Sequence, residues 1–217
     1  MIRVRATFEK CGRAKYISHL DLNRCMLRTF RRSRLPIWYT EGFNPHPYYS
    51  FALALSLGFE SCCEILDFNL TEDVPFDEIR DRLNSVMPEG MRIVKVAEQN
   101  KKITLIAKAE YSFSLVTDNT DELFKAVQTL ISKNEILIEK KTKKGIKTVD
   151  IKPDMEILNC CKKDNCIEIA MYLPAGTQTN YNPLLFVEAL KKATDIVFDV
   201  ENMRRISILC EDNSIFE

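Results

Sequence analysis

Residues 2–36, IRVRATFEKCGRAKYISHLDLNRCMLRTFRRSRLP, change their hydrophobic period once, and that change sets the fold. Over residues 2–10, apolar Ile2, Val4, Ala6 and Phe8 alternate with polar Arg3, Arg5, Thr7 and Glu9, the repeat of a half-buried strand. Cys11-Gly12 ends the alternation. Ser18 with Asp21 three residues later resembles a capping box built with the shorter acid. Leu22, Met26 and Phe30 then recur every four residues, which predicts a helix from Ser18 to about Ser33, stopped ahead of Pro36.

Working outward, PIWYTE (36–41) reads as a strand, GFNPHP (42–47) as a rigid turn, and YYSFALAL (48–55) as a further strand region. SCCEILDFNL (61–70) is a strand, PFDEIRDRLNSVM (75–87) a helix, and MRIVKVAE (91–98) a closing strand. That order, β-α-β-β-α-β, is the ferredoxin-like arrangement. After a polar join, QNKKIT (99–104), the order recurs. Strands are expected at 111–116 and 135–144, and helices at 118–133 and from Asn182-Pro183. At least two strands fall between 147 and 174, with a hairpin turn near 162–165 and a short helical turn at 153–158, and a last strand covers 203–209. The expected class is α+β, two tandem ferredoxin-like (βαββαβ) domains with antiparallel sheets and helices on one face. Residues 1–100 form the first, with the basic helix and GFNPHP loop, and residues 101–217 the second, with an extended hairpin.

The zero formal charge hides an asymmetry. Residues 1–50 hold 10 basic and 3 acidic side chains, residues 51–100 hold 4 and 10, and the rest 17 and 18. Such a basic segment attracts phosphate unless the acidic one neutralises it on folding. No apolar run reaches the ~20 residues of a membrane span, and the charged start is unlike a secretory signal, so a cytoplasmic protein is expected. The eight cysteines include two adjacent pairs without regular spacing, which argues against a disulfide framework. CCKKDNC (160–166) has neither C-x2-C pairing nor a nearby histidine, so neither metal nor cofactor is expected. Nucleotide-binding, nucleophile-elbow and zinc-protease motifs are absent.

Three constellations carry chemistry. In the first, Arg24, Arg28, Arg31 and Arg32 share one broad face of the first helix, opposite Leu22, Met26 and Phe30. Lys10, Arg13, Lys15 and Arg34 extend the basic set, and Tyr16, Trp38, Tyr39, Tyr48 and Tyr49 lie close in sequence. Cations for phosphates and flat rings for splayed bases are what single-stranded nucleic acid requires. The alternative is that the arginines pair with acidic residues 60–98 and the aromatics are core. In the second, His19 near the helix start, with Lys15, could hold a phosphate together with His46 on the Pro-flanked turn beside Asn44. The alternative is a capping His19 and a His46 bonded to its own loop. In the third, KKTKKGIKTVD (140–150) is either a phosphate contact or a lysine-protected edge strand.

The motifs ISHLDL (17–22), FRRSRLP (30–36), EGFNPHP (41–47), SFALAL (50–55) and KTVDIKP (147–153) resemble the bacterial radical-SAM-linked protein family, a domain of unknown function. Members stand alone or are fused behind a radical SAM enzyme, and tend to be encoded near ribonuclease G and a large-subunit ribosomal protein. The resemblance implies a role linked to RNA or the ribosome and a radical SAM partner, and it brings no catalytic residues with it. The C-x3-C-x2-C spacing of the radical SAM cluster is absent here, so an accessory module is implied. Three readings follow. The favoured one is a non-catalytic accessory that binds RNA or a ribosomal assembly through Lys10, Arg13, Lys15, His19, Arg24, Arg28, Arg31, Tyr39, Asn44 and His46. The others are a metal-independent ribonuclease using His19 and His46, and a protein-interaction module without nucleic-acid contact.

Overall fold

Period-two burial carries β1 (Ile2–Lys10), whose Val4, Ala6 and Phe8 are fully buried. Leu66, Phe68 and Leu70 of β3 (Glu60–Leu70) and Ile93 of β4 (Met91–Glu98) join them. Against this face pack Leu22, Met26 and Phe30 of α1 (His19–Ser33) and Ile79 and Leu83 of α2 (Phe76–Asn84). Each such side chain contributes about 1.5–3 kcal/mol when fully buried, so two helices stay on one face of the sheet. The structure is a computed structural model that describes residues 1–142, 145–176 and 179–217, with the side chains at 140–142, 146 and 147 outside the described set.

The chain divides into two units, Met1–Ile106 with Arg204–Glu217, and Ala107–Met203. In the first, β1 pairs antiparallel with β3, from Ile2↔Leu70 onward, and with β4, from Val4↔Glu98 onward. β2 (Tyr49–Phe51) is short and pairs antiparallel with β3 at Tyr49↔Phe68. The end of β10 (Asp199–Cys210) lies parallel to β3 at Arg204↔Glu60 and Arg205↔Ser61.

In the second unit, β5 (Ile106–Val116) pairs antiparallel with β9 (Cys166–Pro174), and β9 with β8 (Glu156–Lys162). A hairpin of β6 (Leu137–Thr142) and β7 (Gly145–Asp150) stands apart from that sheet. Leu123, Val127 and Leu130 of α3 (Thr120–Ser132) and Phe186, Val187 and Leu190 of α4 (Leu184–Ala193) are buried. The molecule is thus α+β with a mostly antiparallel sheet. No helix among the described residues is long and apolar enough to cross a membrane.

Three local expectations change, the first being the strand region at 48–55, of which only Tyr49–Phe51 is a strand. Residues 36–41 do not form a strand, because the chain makes only isolated bridges there, Ile37↔Leu70 and Tyr39↔Pro47. Pro36 and Pro47 have no N–H to offer a ladder. The helical turn expected at 153–158 is reduced to one hydrogen-bonded turn, Met155 N donating to Lys152 O at 3.3 Å, before β8 begins at Glu156, paired with Tyr172.

Candidate functional site

The first helix begins as its residues dictate. The Ser18 hydroxyl accepts the Asp21 N–H at 3.1 Å and donates to the Asp21 carboxylate at 2.8 Å. Those contacts, with Arg24 beside it, hold the Asp21 carboxyl below its usual range. At the other end the chain turns at Arg34 with φ 55°, and Arg82 of α2 donates from Nε to Ser33 O at 2.9 Å and also to Arg34 O. A cation on the last carbonyls completes the helix and fixes α1 on α2.

Arg24, Arg28, Arg31 and Arg32 are all exposed. Arg24 forms an i,i+3 pair with Asp21 at 3.1 Å, with both side chains more than half exposed, an arrangement worth little. Among the described residues Arg28, Arg31 and Arg32 have no ion-pair partner. Five of the ten acidic residues of 60–98 are paired elsewhere, Asp77 and Asp81 with Arg80, Glu78 with Arg82, Glu64 with Arg205 and Asp67 with Arg5. Among the described residues no ion pair joins the helix arginines to that segment, the alternative open at the level of sequence. Arg24, Arg28 and Arg32 line one side of a groove of about 430 Å³ whose other side is Val86, Met87 and Pro88.

Lys10 corrects an expectation. It is 2% exposed and its Nζ donates to Ile17 O at 2.9 Å, so it cannot meet a ligand at the surface. The same alternation that buries Val4, Ala6 and Phe8 carries Lys10 inward. Burial pushes its pKa down, opposed by Glu64. Arg13 is exposed, and Lys15 lies half-buried over the exposed Tyr16 ring at 5.4 Å.

His19 is exposed and meets Phe51 edge-on at 5.4 Å. His46 sits in a loop closed as a hairpin, with Thr40 N donating to His46 O at 2.9 Å and Tyr48 N to Trp38 O at 3.0 Å. Gly42, at φ 120°, makes the turn that a side chain would strain. His46 donates from Nδ1 to Asn44 O at 3.0 Å, since a carbonyl can only accept, and this leaves Nε2 as the uncommitted ring nitrogen. No hydrogen bond or ring contact among the described residues joins His19 to His46. Asn44 and Tyr39 are exposed, and Phe43 between them is completely so. Phe43 lies outside the basic and aromatic set, and its place within GFNPHP is the signal that joins it to the loop.

In the lysine-rich hairpin, the side chains at 140–144, 146 and 147 lie outside the described residues. No group of three or more His, Cys, Asp or Glu among the described residues is placed to hold a metal ion. A cavity of about 830 Å³ is lined wholly by second-unit residues including Asp118, Glu122, Asp195 and Asp199.

The adjacent cysteines of β3 form a thiol pair that their spacing in the sequence does not single out. Between Phe8↔Glu64 and Lys10↔Ser61, β3 holds one residue more than β1, so Cys62 and Cys63 together oppose Glu9. Such a bulge turns consecutive side chains away from strict alternation. Both sulfurs consequently lie near Arg205 O, at 3.7 and 3.8 Å. A hydrogen bond from Cys63, assisted by Arg204, brings the Cys62 thiol down to about 6 against the effect of burial, while that bond and burial push Cys63 up. Arg204 Nε is buried without a partner among the described residues. A contact of Cys62 Sγ with Ile206 O at 3.2 Å favours the protonated thiol and opposes this. Iodoacetamide at pH 7, followed by peptide mapping, decides between them. Cys62 is expected to alkylate faster than an ordinary thiol of pKa ~8.5 and to slow as pH falls through about 6. A Cys62 slower than the other half-buried cysteines contradicts this.

A family model described as "Uncharacterized protein conserved in bacteria (DUF2344)" matches residues 3–183, across both units and all the motifs of the basic helix and GFNPHP loop. The chain belongs to that family. No curated protein sequence matches significantly. Among solved structures, the chain is similar to one in "Crystal Structure of a Cbf5-Nop10-Gar1 Complex", with a TM-score of 0.52 and 10% identity. That match covers 94% of this chain and spans 48% of the other, and at such identity it shows a related fold alone. A second likeness is to "Crystal Structure of an Unknown Protein from Galdieria sulphuraria", with a TM-score of 0.28, 10% identity, and 92% and 97% of the two chains covered.

Proposed function

We propose that this protein binds single-stranded RNA through the outer face of α1 and serves as an accessory to a radical SAM enzyme acting on RNA or a ribosomal assembly. The observation that carries the RNA reading is the set Arg28, Arg31 and Arg32, exposed and without ion-pair partners among the described residues, with Arg28 and Arg32 beside an open groove. Three uncompensated guanidinium groups on one rigid helix repel one another and gain by meeting an anion of matching spacing. Residues four apart on a helix are separated by roughly 6 Å along its axis, close to the separation of successive phosphates on an extended strand. The enzyme partner rests on the EGFNPHP resemblance.

The finer fold reading, two tandem ferredoxin-like units, is part of the proposal. Neighbouring strands β4-β1-β3 with β2 on β3 support it in the first unit, and β10-β5-β9-β8 in the second, with β6 and β7 as an inserted hairpin. An acidic protein partner would satisfy the same charges, so the test separates the two. Wild-type protein is expected to retain a labelled single-stranded RNA that polyglutamate of equal charge fails to displace. Arg28→Glu is expected to weaken retention more than tenfold. Displacement of RNA by polyglutamate at equal charge concentration overturns RNA in favour of an acidic protein.

A further inference from the structure

The GFNPHP loop closes beside a cavity of about 420 Å³ lined by Trp38, Tyr48, Asp67, Asn69 and Gln99, all within the first unit. Trp38 and Tyr48 meet edge-on at 5.4 Å. Trp38 N donates to Asn69 O at 2.8 Å and Tyr48 N to Trp38 O at 3.0 Å, so the backbone hairpin holds both rings in place. Register puts the polar members together: Ser50 and Arg5 are both opposite Asp67, and Arg3 is opposite Asn69. These positions alternate with Val4, Phe68 and Leu70, which face the helices, so the cavity lies on the other face of the sheet.

Asp67 and Asn69 are 4% and 5% exposed yet line this opening. The Asp67 carboxylate accepts from Arg5 Nε at 2.7 Å, Arg5 Nη2 at 2.8 Å and Gln99 Nε2 at 2.8 Å. Those donors fix its orientation and balance its charge, and leave Oδ1 with capacity for another donor. Asn69 is less satisfied: its Nδ2 meets only the Met1 sulfur at 3.4 Å, and its side-chain oxygen has no partner among the described residues. A half-buried Trp38 and an exposed Tyr48, inclined at 69° to each other, make an apolar corner next to a donor-and-acceptor edge formed by the fixed carboxylate and the uncommitted amide.

We infer that this cavity takes a single unstacked nucleobase bearing an exocyclic amine, with the ring against Trp38 and Tyr48 and its amine on Asp67 and Asn69. Carboxylates accept from the cytosine amine and Asn amides pair with the adenine edge, whereas uracil has no exocyclic amine to offer. Stacking on an aromatic side chain is worth ~1–3 kcal/mol per base and supplies affinity, while the polar edge supplies choice. The inference rests on the RNA reading above and adds to it a second, base-selective contact on the face of the sheet opposite the α1 groove.

Trp38 is the only tryptophan of the chain, so its emission reports this cavity alone. Titration of the full-length protein with cytidine, adenosine, guanosine and uridine is expected to quench it saturably for the first three, with uridine at least tenfold weaker. An oligonucleotide of the preferred base is expected to quench at lower concentration than its nucleoside. Asn69→Ala is expected to lose the discrimination against uridine, and the exposed Tyr48→Ala, which leaves the buried residues intact, to lose most of the quenching. Absence of saturable quenching by every nucleoside overturns the inference, and RNA retention by Arg28 in the same preparation shows that the groove reading stands without it. Equal affinity for uridine overturns the assigned polar edge. Equal affinity for oligonucleotide and nucleoside overturns RNA as the source of the base.

Discussion

Replacing Glu64 with alanine is expected to lower the unfolding free energy by about 3–5 kcal/mol, the range for breaking a buried ion pair from one side. The Glu64 and Arg205 side chains are 2% and 1% exposed, and Arg205 Nε donates to Glu64 at 3.1 Å. Arg205 also donates to Ala54 O and Leu53 O, each at 3.3 Å, so it ties the segment after β2 to the sheet. Lys10 is buried and feels the Glu64 charge as well. Glu64→Ala therefore leaves two buried cations without their carboxylate, and lowers the Lys10 pKa further. Urea unfolding at pH 7 measures the loss. A change below ~1 kcal/mol would mean that the pair is solvated or replaceable.

How far this arrangement was legible in the sequence depended on how local its causes are. β1 and α1 were readable because alternation in Ile2–Phe8, the Ser18 cap and the Leu22-Met26-Phe30 stripe lie within a few residues of one another. Lys10, a cation of the basic set, is buried, and the parity of β1 is what points it inward. Residues 36–41 are rich in strand-forming side chains, but two prolines and the long reach to Leu70 leave only bridges. Whether acidic residues 60–98 cover the arginines was undecidable, because the answer rests on Arg5 with Asp67 and Arg205 with Glu64, pairs made 62 and 141 positions apart. The Cys62-Cys63 bulge is likewise a property of two strands in register and has no signature in either alone. The nucleobase cavity needs β1, β3 and the GFNPHP hairpin at once; the sequence shows its aromatics and gives no reason to join them to Asp67 and Asn69.

The second large effect concerns the helix itself. Arg28, Arg31 and Arg32 replaced together by alanine are expected to weaken single-stranded RNA binding about a hundredfold at 0.1 M salt, since each phosphate contact adds roughly 0.7 to log K per decade of salt. Stability should change little. The three side chains are exposed and have no ion-pair partner among the described residues, alanine favours helix, and relief of mutual repulsion works in the same direction. Substituting Arg24 is expected to matter less, because Asp21 already shares its charge. The salt dependence of RNA binding by wild-type protein and by this triple variant is the most direct measurement. A wild-type plot of log K against log salt steeper than that of the variant by about 2 is the expected result. Superimposable plots for the two proteins would contradict RNA recognition by the α1 face.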